Sequence, residues 1–359
     1  MSRPVQALID LSALEHNLAI VRRHAPHSRI MAVVKADAYG HGLLRAASAL
    51  QYADGLAMLE LDAAVRLREA GCRQKILLIE GFFSLSELAV VEEYQLSTVI
   101  HHGEQLTMLP SYRGRGKLDV FLKLNTGMNR LGFAPQQFTA VMETLRSSPA
   151  IGQITLMTHF ACADEPGQDG DTAVDTQWQQ FNVITAGYHL PRSLANSAAI
   201  LRYPMVHADW VRPGLMLYGA SPFPDKTAVS LGLQAAMTVS SKIITIQHLA
   251  TGEGVGYGHT FRAPCPMRTG VVAGGYADGY PRHAPTGTPV LVNGQRARLI
   301  GRVSMDMLHV DLSGIEGAET GSDVILWGEG LPVEEVAQAA GTISYELLCA
   351  LAPRMQKKT

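Results

Sequence analysis

The sequence lacks most of the features that would assign it quickly to a class. Its 359 residues include only four cysteines, Cys72, Cys162, Cys265 and Cys349, scattered and with no CxxC pair. That argues against a disulfide framework and suits reduced, mostly packed thiols in a cytosol. The 30 basic and 32 acidic residues nearly cancel, to a formal charge of -2. No global field therefore draws the chain to nucleic acid or to a membrane surface. No apolar run approaches the length of a transmembrane helix. The opening segment meets Asp10 and Glu15 before any long apolar stretch, unlike a secretory signal, so a cytoplasmic protein is expected. Repeats, low-complexity tracts and long linkers are missing. His24, His27, His101 and His102 complete no metal-ligand cluster, and no metal is expected. What remains is 47% hydrophobic against 17% charged residues, ample for a packed core and for one large and one smaller domain.

From residue 29 onward, short apolar runs alternate with amphipathic stretches. The runs at Ile30–Val34, Gly55–Leu59, Lys75–Glu80, Leu96–His101, Asp119–Asn125, Ile154–Phe160, Arg192–Asn196 and Asp209–Arg212 read as strands. Helices are expected between them. One runs to about His24 behind a capping box at Ser12 and Glu15, and another, Leu85–Tyr94, follows a second box at Ser84 and Glu87. A third, Leu61–Ala70, ends at Gly71. Eight such units fit an α/β fold of the (β/α)8, TIM-like barrel type over residues 11–230, with a doubly wound sheet as the alternative. From about Leu231 the texture changes to short alternating stretches broken by Gly, Pro and Asn, a mainly β domain over 231–359. The strand expected within residues 1–10 is assigned to that β domain.

A barrel places its chemistry at the C-terminal ends of the strands. The first strand ends at Lys35, in Ala-Val-Val-Lys-Ala-Asp-Ala-Tyr-Gly-His-Gly. A lysine at the mouth of an apolar strand is open to desolvation, which frees its amine for Schiff-base chemistry. Taken alone, a strand-end lysine more often just meets water. Asn196-Ser197 follows the seventh strand and Arg212-Pro-Gly214 the eighth, where barrels commonly bind phosphate.

The wording of the lysine stretch closely resembles the cofactor-lysine motif of alanine racemases, which are built on pyridoxal 5′-phosphate (PLP), and further segments extend that resemblance over nearly the whole chain. It implies that Lys35 carries the cofactor, and that Tyr39, Ser197, Tyr345 and the backbone of Gly214 and Leu215 hold its phosphate. The segment Asp-Trp-Val-Arg-Pro-Gly-Leu resembles the one whose arginine faces the pyridine nitrogen, which is Arg212 here. An arginine keeps its own proton and leaves that nitrogen unprotonated, so charge at the substrate Cα is stabilised less and side reactions are suppressed. Lys123-Leu-Asn-Thr-Gly-Met-Asn-Arg resembles the segment whose arginine, Arg130, bonds the cofactor's phenolic oxygen and the substrate carboxylate. Some members carry a carbamylated lysine at the place of Lys123.

The resemblance also implies a homodimer with shared active sites. Tyr257, in Gly-Val-Gly-Tyr-Gly-His, matches the base that reaches the partner subunit's cofactor. A tyrosine ordinarily titrates near pH 10 (roughly), so a cationic neighbourhood must ease its deprotonation. His159, linked onward to Arg212, is the implied route. Met305, beside Asp306 in Gly-Arg-Val-Ser-Met-Asp-Met, matches a backbone donor to the substrate carboxylate. Tyr276 matches an entrance gate. Two departures stand out: Asp37 where many relatives have Asn, and Ser304 where some have Cys. The implied reaction interconverts L-alanine and D-alanine, Lys35 serving the D side and Tyr257 the L side, for wall-precursor synthesis or D-alanine catabolism. Rival readings are a broad-specificity racemase, a PLP decarboxylase, which would want an acid where Arg212 stands, and a non-catalytic PLP carrier, which would not need Tyr257 and Met305.

Overall fold

The computed structural model describes residues 3–359. Strand β1 (Gln6–Ile9) is followed by the helix Leu11–His24 and then by eight parallel strands that close on themselves. These are β2 (Arg29–Val33), β3 (Gly55–Met58), β4 (Lys75–Leu78), β5 (Ser97–Ile100), β6 (Leu118–Lys123), β7 (Ile151–Met157), β8 (Arg192–Ser193) and β9 (Trp210–Val211). Closure runs through β2–β9, where Arg29 and Ile30 pair with Trp210 and Val211. The architecture is the barrel, not the doubly wound sheet. Its strands are short and almost wholly buried because helices cover their outer faces, which is why they read as continuous apolar runs.

The local signals at the helix ends differ from expectation. The first helix is capped by Asp10, whose carboxylate accepts from the Ala13 N–H at 3.1 Å, while the Ser12 hydroxyl donates to that same carboxylate. A carboxylate two residues earlier outcompetes the serine because it bonds both the helix N–H and the hydroxyl. At Ser84 neither half of the box forms, because the N–H that Glu87 takes is not that of the cap residue. Glu87 accepts the backbone N–H of Phe83 at 3.0 Å, and the Ser84 side chain makes no cap bond to the backbone.

Beyond the barrel, β10 (Met237–Leu249) is the spine of an eight-stranded sheet. A short hairpin, β11 (Gly254–Val255) and β12 (Phe261–Arg262), leads to β13 (Met267–Ala273), β14 (Pro289–Val292), β15 (Gln295–Ile300), β16 (Met307–Asp311) and β17 (Asp323–Trp327). The strand order is β13-β16-β15-β14-β17-β10-β1 and then β18 (Gln356–Lys358), with β13 also pairing β10. Strand β1 thus lies antiparallel to β10 and parallel to β18. Two short helices, Val333–Ala339 and Ser344–Cys349, return the chain to the barrel mouth. One continuous apolar core runs through barrel and sheet. All four thiols are free, and none is fully buried, Cys265 and Cys349 being exposed. Among the described residues no helix is long and apolar enough to cross a membrane.

Candidate active site

The carboxyl ends of the barrel strands surround a cavity of about 740 Å³. Lys35 stands just beyond β2, Lys123 ends β6, His159 follows β7, Ser197 follows β8 and Arg212 follows β9, and all line it. Tyr39, Arg130, Gly214, Leu215 and Tyr345 complete the polar wall. The structure therefore brings together ten of the positions singled out above. Tyr257, Tyr276, Met305 and Asp306 lie elsewhere, on loops of the β domain. Tyr257 is 69% exposed, and the Tyr276 and Met305 turns are tied by N–H bonds from Tyr276 to Ser304 O (3.1 Å) and from Ala277 to Met305 O (3.0 Å).

Lys35 enters an unusual turn. Ala36, Asp37, Ala38 and Tyr39 all have φ between 50° and 55°, four consecutive L-residues in the left-handed helical region. Such a conformation costs about 1–2 kcal/mol per residue and persists only where the surroundings over-determine it. Here the Ala38 N–H bonds Val34 O, the Gly40 N–H bonds Ala36 O and the Gly42 N–H bonds Asp37 O. Asp37 accepts the Leu43 N–H at 2.8 Å. The buried His41 ring puts Nδ1 against the Ala38 and Tyr39 carbonyls, at 3.0 and 2.9 Å, and stacks near Tyr218. Tyr218 in turn stacks on Tyr39 at 4.6 Å between ring centres and donates to Val33 O.

Burial pushes the His41 imidazole down to about 4, and its Nε2 has no partner. Between the ordinary value of 6.5 and that value, the unfolded chain takes up a proton that the folded chain refuses. Stability should therefore fall as pH drops through this window, by about 3 kcal/mol from this group, and level off below it. Acid unfolding curves of a His41→Gln variant should lose that part of the slope. An unchanged slope would remove His41 from the account.

At the other side of the mouth, the Ser197 hydroxyl oxygen accepts the Gly214 N–H at 2.9 Å and the Met216 N–H at 3.4 Å. The Gly214 N–H, expected as a phosphate donor, is thus engaged within the protein, while the serine hydrogen is free to point into the cavity. A Cβ at Gly214 would stand 2.6 Å from the Tyr39 hydroxyl, so only glycine lets that phenol reach the loop. Burial raises the Tyr39 phenol well above its usual range and pushes Tyr345 up to about 12, so both stay protonated donors at neutral pH.

Arg212 is fully buried. Its guanidinium donates to Ser193 Oγ (2.7 Å), Thr158 O (2.7 Å), Leu194 O (3.0 Å) and His159 Nδ1 (3.2 Å), with no carboxylate among its partners. Burial lowers it to about 9, still charged at neutral pH. Burial, followed by the charges of Arg212, Lys123, Arg130 and Lys35, holds His159 well below its ordinary value and therefore neutral. Lys123 is brought down to about 8 by burial and then by Arg212, Arg130 and Lys35. Arg130 is presented by a loop built on Asn125, whose side chain accepts the N–H groups of Gly127 and Asn129.

Some supporting residues escaped the sequence reading. Gln177, buried on the helix Gly167–Ile184, bonds Thr126, the His159 carbonyl and the Ala161 N–H, and so ties the Arg130 loop to the segment that follows β7. Its single amide among helical residues gives no local signal. The Asp306 turn is pinned by Arg354 at 2.7 Å, and Arg354 and Arg3 both reach the buried Asp278.

The cavity thus holds four cationic side chains, Lys35, Lys123, Arg130 and Arg212, against one carboxylate, Glu80. Uncompensated charges in a partly buried site are costly, and the arrangement fits a ligand carrying several negative charges. Among the described residues no group of His, Cys, Asp or Glu is placed to hold a metal ion. Closed barrel, a lysine just beyond its first strand and a cluster of anion-binding donors after the last two strands together define a barrel enzyme with an appended β domain. Family models described as the N-terminal and C-terminal domains of alanine racemase match residues 9–222 and 236–359. The chain belongs to the alanine racemase family, whose members are isomerases. It is 69% identical to the alanine racemase of Nitrosospira multiformis over all of both chains. It is 63% identical to that of Nitrosomonas europaea, covering 99% of this chain and 98% of the other. The crystal structure of the biosynthetic alanine racemase from Pseudomonas aeruginosa superposes with a TM-score of 0.96 at 47% identity, covering 99% of each chain.

Proposed function

We propose that this chain interconverts L-alanine and D-alanine with PLP, as a cytoplasmic homodimer in which each cavity is completed by the partner's Tyr257 and Met305. The division proposed is a barrel over residues 11–230 and a β domain over 231–359, with strand β1 added to the latter. The observation that carries the reading is the single cavity in which Lys35 faces an anion cradle and a buried Arg212 without a carboxylate partner. The residues fit the cofactor: Tyr39, Ser197, Leu215 and Tyr345 offer neutral donors to a phosphate, and Arg130 offers a charge to the ring's phenolic oxygen. PLP, when bound, holds the substrate amino group covalently and draws electrons from its Cα.

The protein's own part is to move a proton at that Cα. Lys35 works on one face, giving and taking the proton of the D enantiomer. Tyr257 of the partner subunit works on the other face. Because Arg212 donates to His159 Nδ1, the neutral ring carries its hydrogen on Nε2 and offers a donor to the tyrosine oxygen. The Met305 backbone N–H and Arg130 hold the substrate carboxylate, and Tyr257, Tyr276 and Tyr345 crowd the entrance against long side chains. A Lys123 amine brought down to about 8 gives up its proton more readily than an ordinary lysine, which suits carbamylation, and that would supply the anion that Arg130 lacks.

The test is an absorbance spectrum followed by L-alanine turnover with chiral product analysis. A visible band together with D-alanine is expected. A band without D-alanine would redirect the reading to another amino acid or to a carrier role, and no band on adding PLP would overturn it.

A further inference from the structure

The left-handed turn behind Lys35 is held partly from outside the barrel. The Gly40 α-carbon lies directly under the Leu348 carbonyl oxygen, so close that no Cβ would fit. The Tyr345 ring, on the same helix as Leu348, sits 5.9 Å from the Tyr39 ring centre. The Asp37 carboxylate is divided between two jobs. One oxygen accepts the Leu43 N–H at the start of the helix Leu43–Ala49, and the other accepts Lys357 Nζ at 2.8 Å. Lys357 is the central residue of β18 and stands opposite Ala7 of β1. Its side chain is 21% exposed and that of Asp37 52%. Burial alone would raise the Asp37 carboxyl, yet the bonds from Lys357 and Leu43 hold it below its ordinary value.

We propose that Lys357 is a positioning residue for the cofactor lysine. Through Asp37 it fixes the second residue of the left-handed turn, and with it the Lys35 amine and the Tyr39 hydroxyl at the two ends of that turn. The inference rests on the cofactor reading of Lys35 and goes beyond it, since it assigns the edge strand of the β domain a part in holding PLP. A half-exposed ion pair in general contributes little to stability. This one joins segments 320 positions apart, and its carboxylate sits inside a backbone conformation that reverts when it is not over-determined. The consequence falls on ligand geometry more than on folding.

The test is titration of the PLP-free protein with PLP, read by the visible band and by thermal unfolding of the cofactor-free form. Lys357→Met and Asp37→Asn should each weaken PLP binding about three- to fivefold, the scale of one partly exposed ion pair. Asn keeps an acceptor for the Leu43 N–H and tolerates positive φ, so Asp37→Asn removes the charge alone. The double variant should bind no worse than either single one, because both remove the same contact. Lys357→Arg should restore wild-type affinity, while the unfolding temperature of the cofactor-free form stays within about two degrees throughout. Unchanged affinity in Lys357→Met, or independent losses that multiply in the double variant, would overturn the inference while leaving the wild-type band and the cofactor reading in place. A wild-type protein that forms no band would overturn both.

Discussion

Replacing Lys35 by alanine is expected to abolish the visible band of lysine-bound cofactor and to lower alanine racemisation by about four orders of magnitude or more. The expectation adds two losses. The amine proposed to anchor the cofactor is removed, and so is the group proposed to move the proton on the D side, a role commonly worth about 10²- to 10⁴-fold by itself. The cavity contains one other amine, Lys123. It cannot take over, because in an eight-strand closed barrel β6 stands opposite β2. The fold should survive, since the turn is held by backbone bonds, by Asp37 and by His41, and none of these involves the Lys35 side chain. A variant that kept the band would show that the anchor lies elsewhere.

Tyr257→Phe should give the complementary result: PLP bound with its band intact, and racemisation down by about 10²- to 10⁴-fold. The reason is placement. Tyr257 lies on the hairpin between β11 and β12, flanked by Gly256 and Gly258 at positive φ, and takes no part in the cavity of its own chain. Removing one hydroxyl from a largely exposed ring should change stability by less than about 0.5 kcal/mol. Any loss of turnover would then belong to the proton step. Near-normal turnover would take Tyr257 out of the mechanism.

The parts of this molecule that could be read in advance are those where residue type alone dictates structure. Runs such as Ile-Met-Ala-Val are buried on both faces in a parallel barrel, so apolarity marks each of them as a strand, and the lysine and arginine that follow β2 and β9 are polar interruptions at the edge of apolar stretches. The rest depends on tertiary partners. In Ala-Asp-Ala-Tyr only the Asp visits positive φ at all readily, and four such residues in a row exist because Val34, His41, Tyr218 and Leu348 leave the turn no alternative. Gln-Lys-Lys is too short and too charged to announce β18, which forms only because β1 offers it an edge. Asp10 caps the helix in place of Ser12 because its carboxylate takes the Ala13 N–H and the Ser12 hydroxyl together, which leaves the serine a donor to the cap. The link from Arg3 and Arg354 to Asp278 and Asp306 spans nearly the whole chain, a distance over which no local pattern operates. Asp37, visible in the sequence only as a departure from relatives, acquires a partner in Lys357 once the fold is known.

The central claim is that one face of the substrate belongs to Lys35 and the other to Tyr257. The most direct measurement is exchange of the α-hydrogen in deuterated water, followed separately from pure D-alanine and pure L-alanine in the Tyr257→Phe variant. Exchange from D-alanine should persist without inversion, and exchange from L-alanine should be lost. Equal loss from both enantiomers, or equal retention in both, would contradict the division.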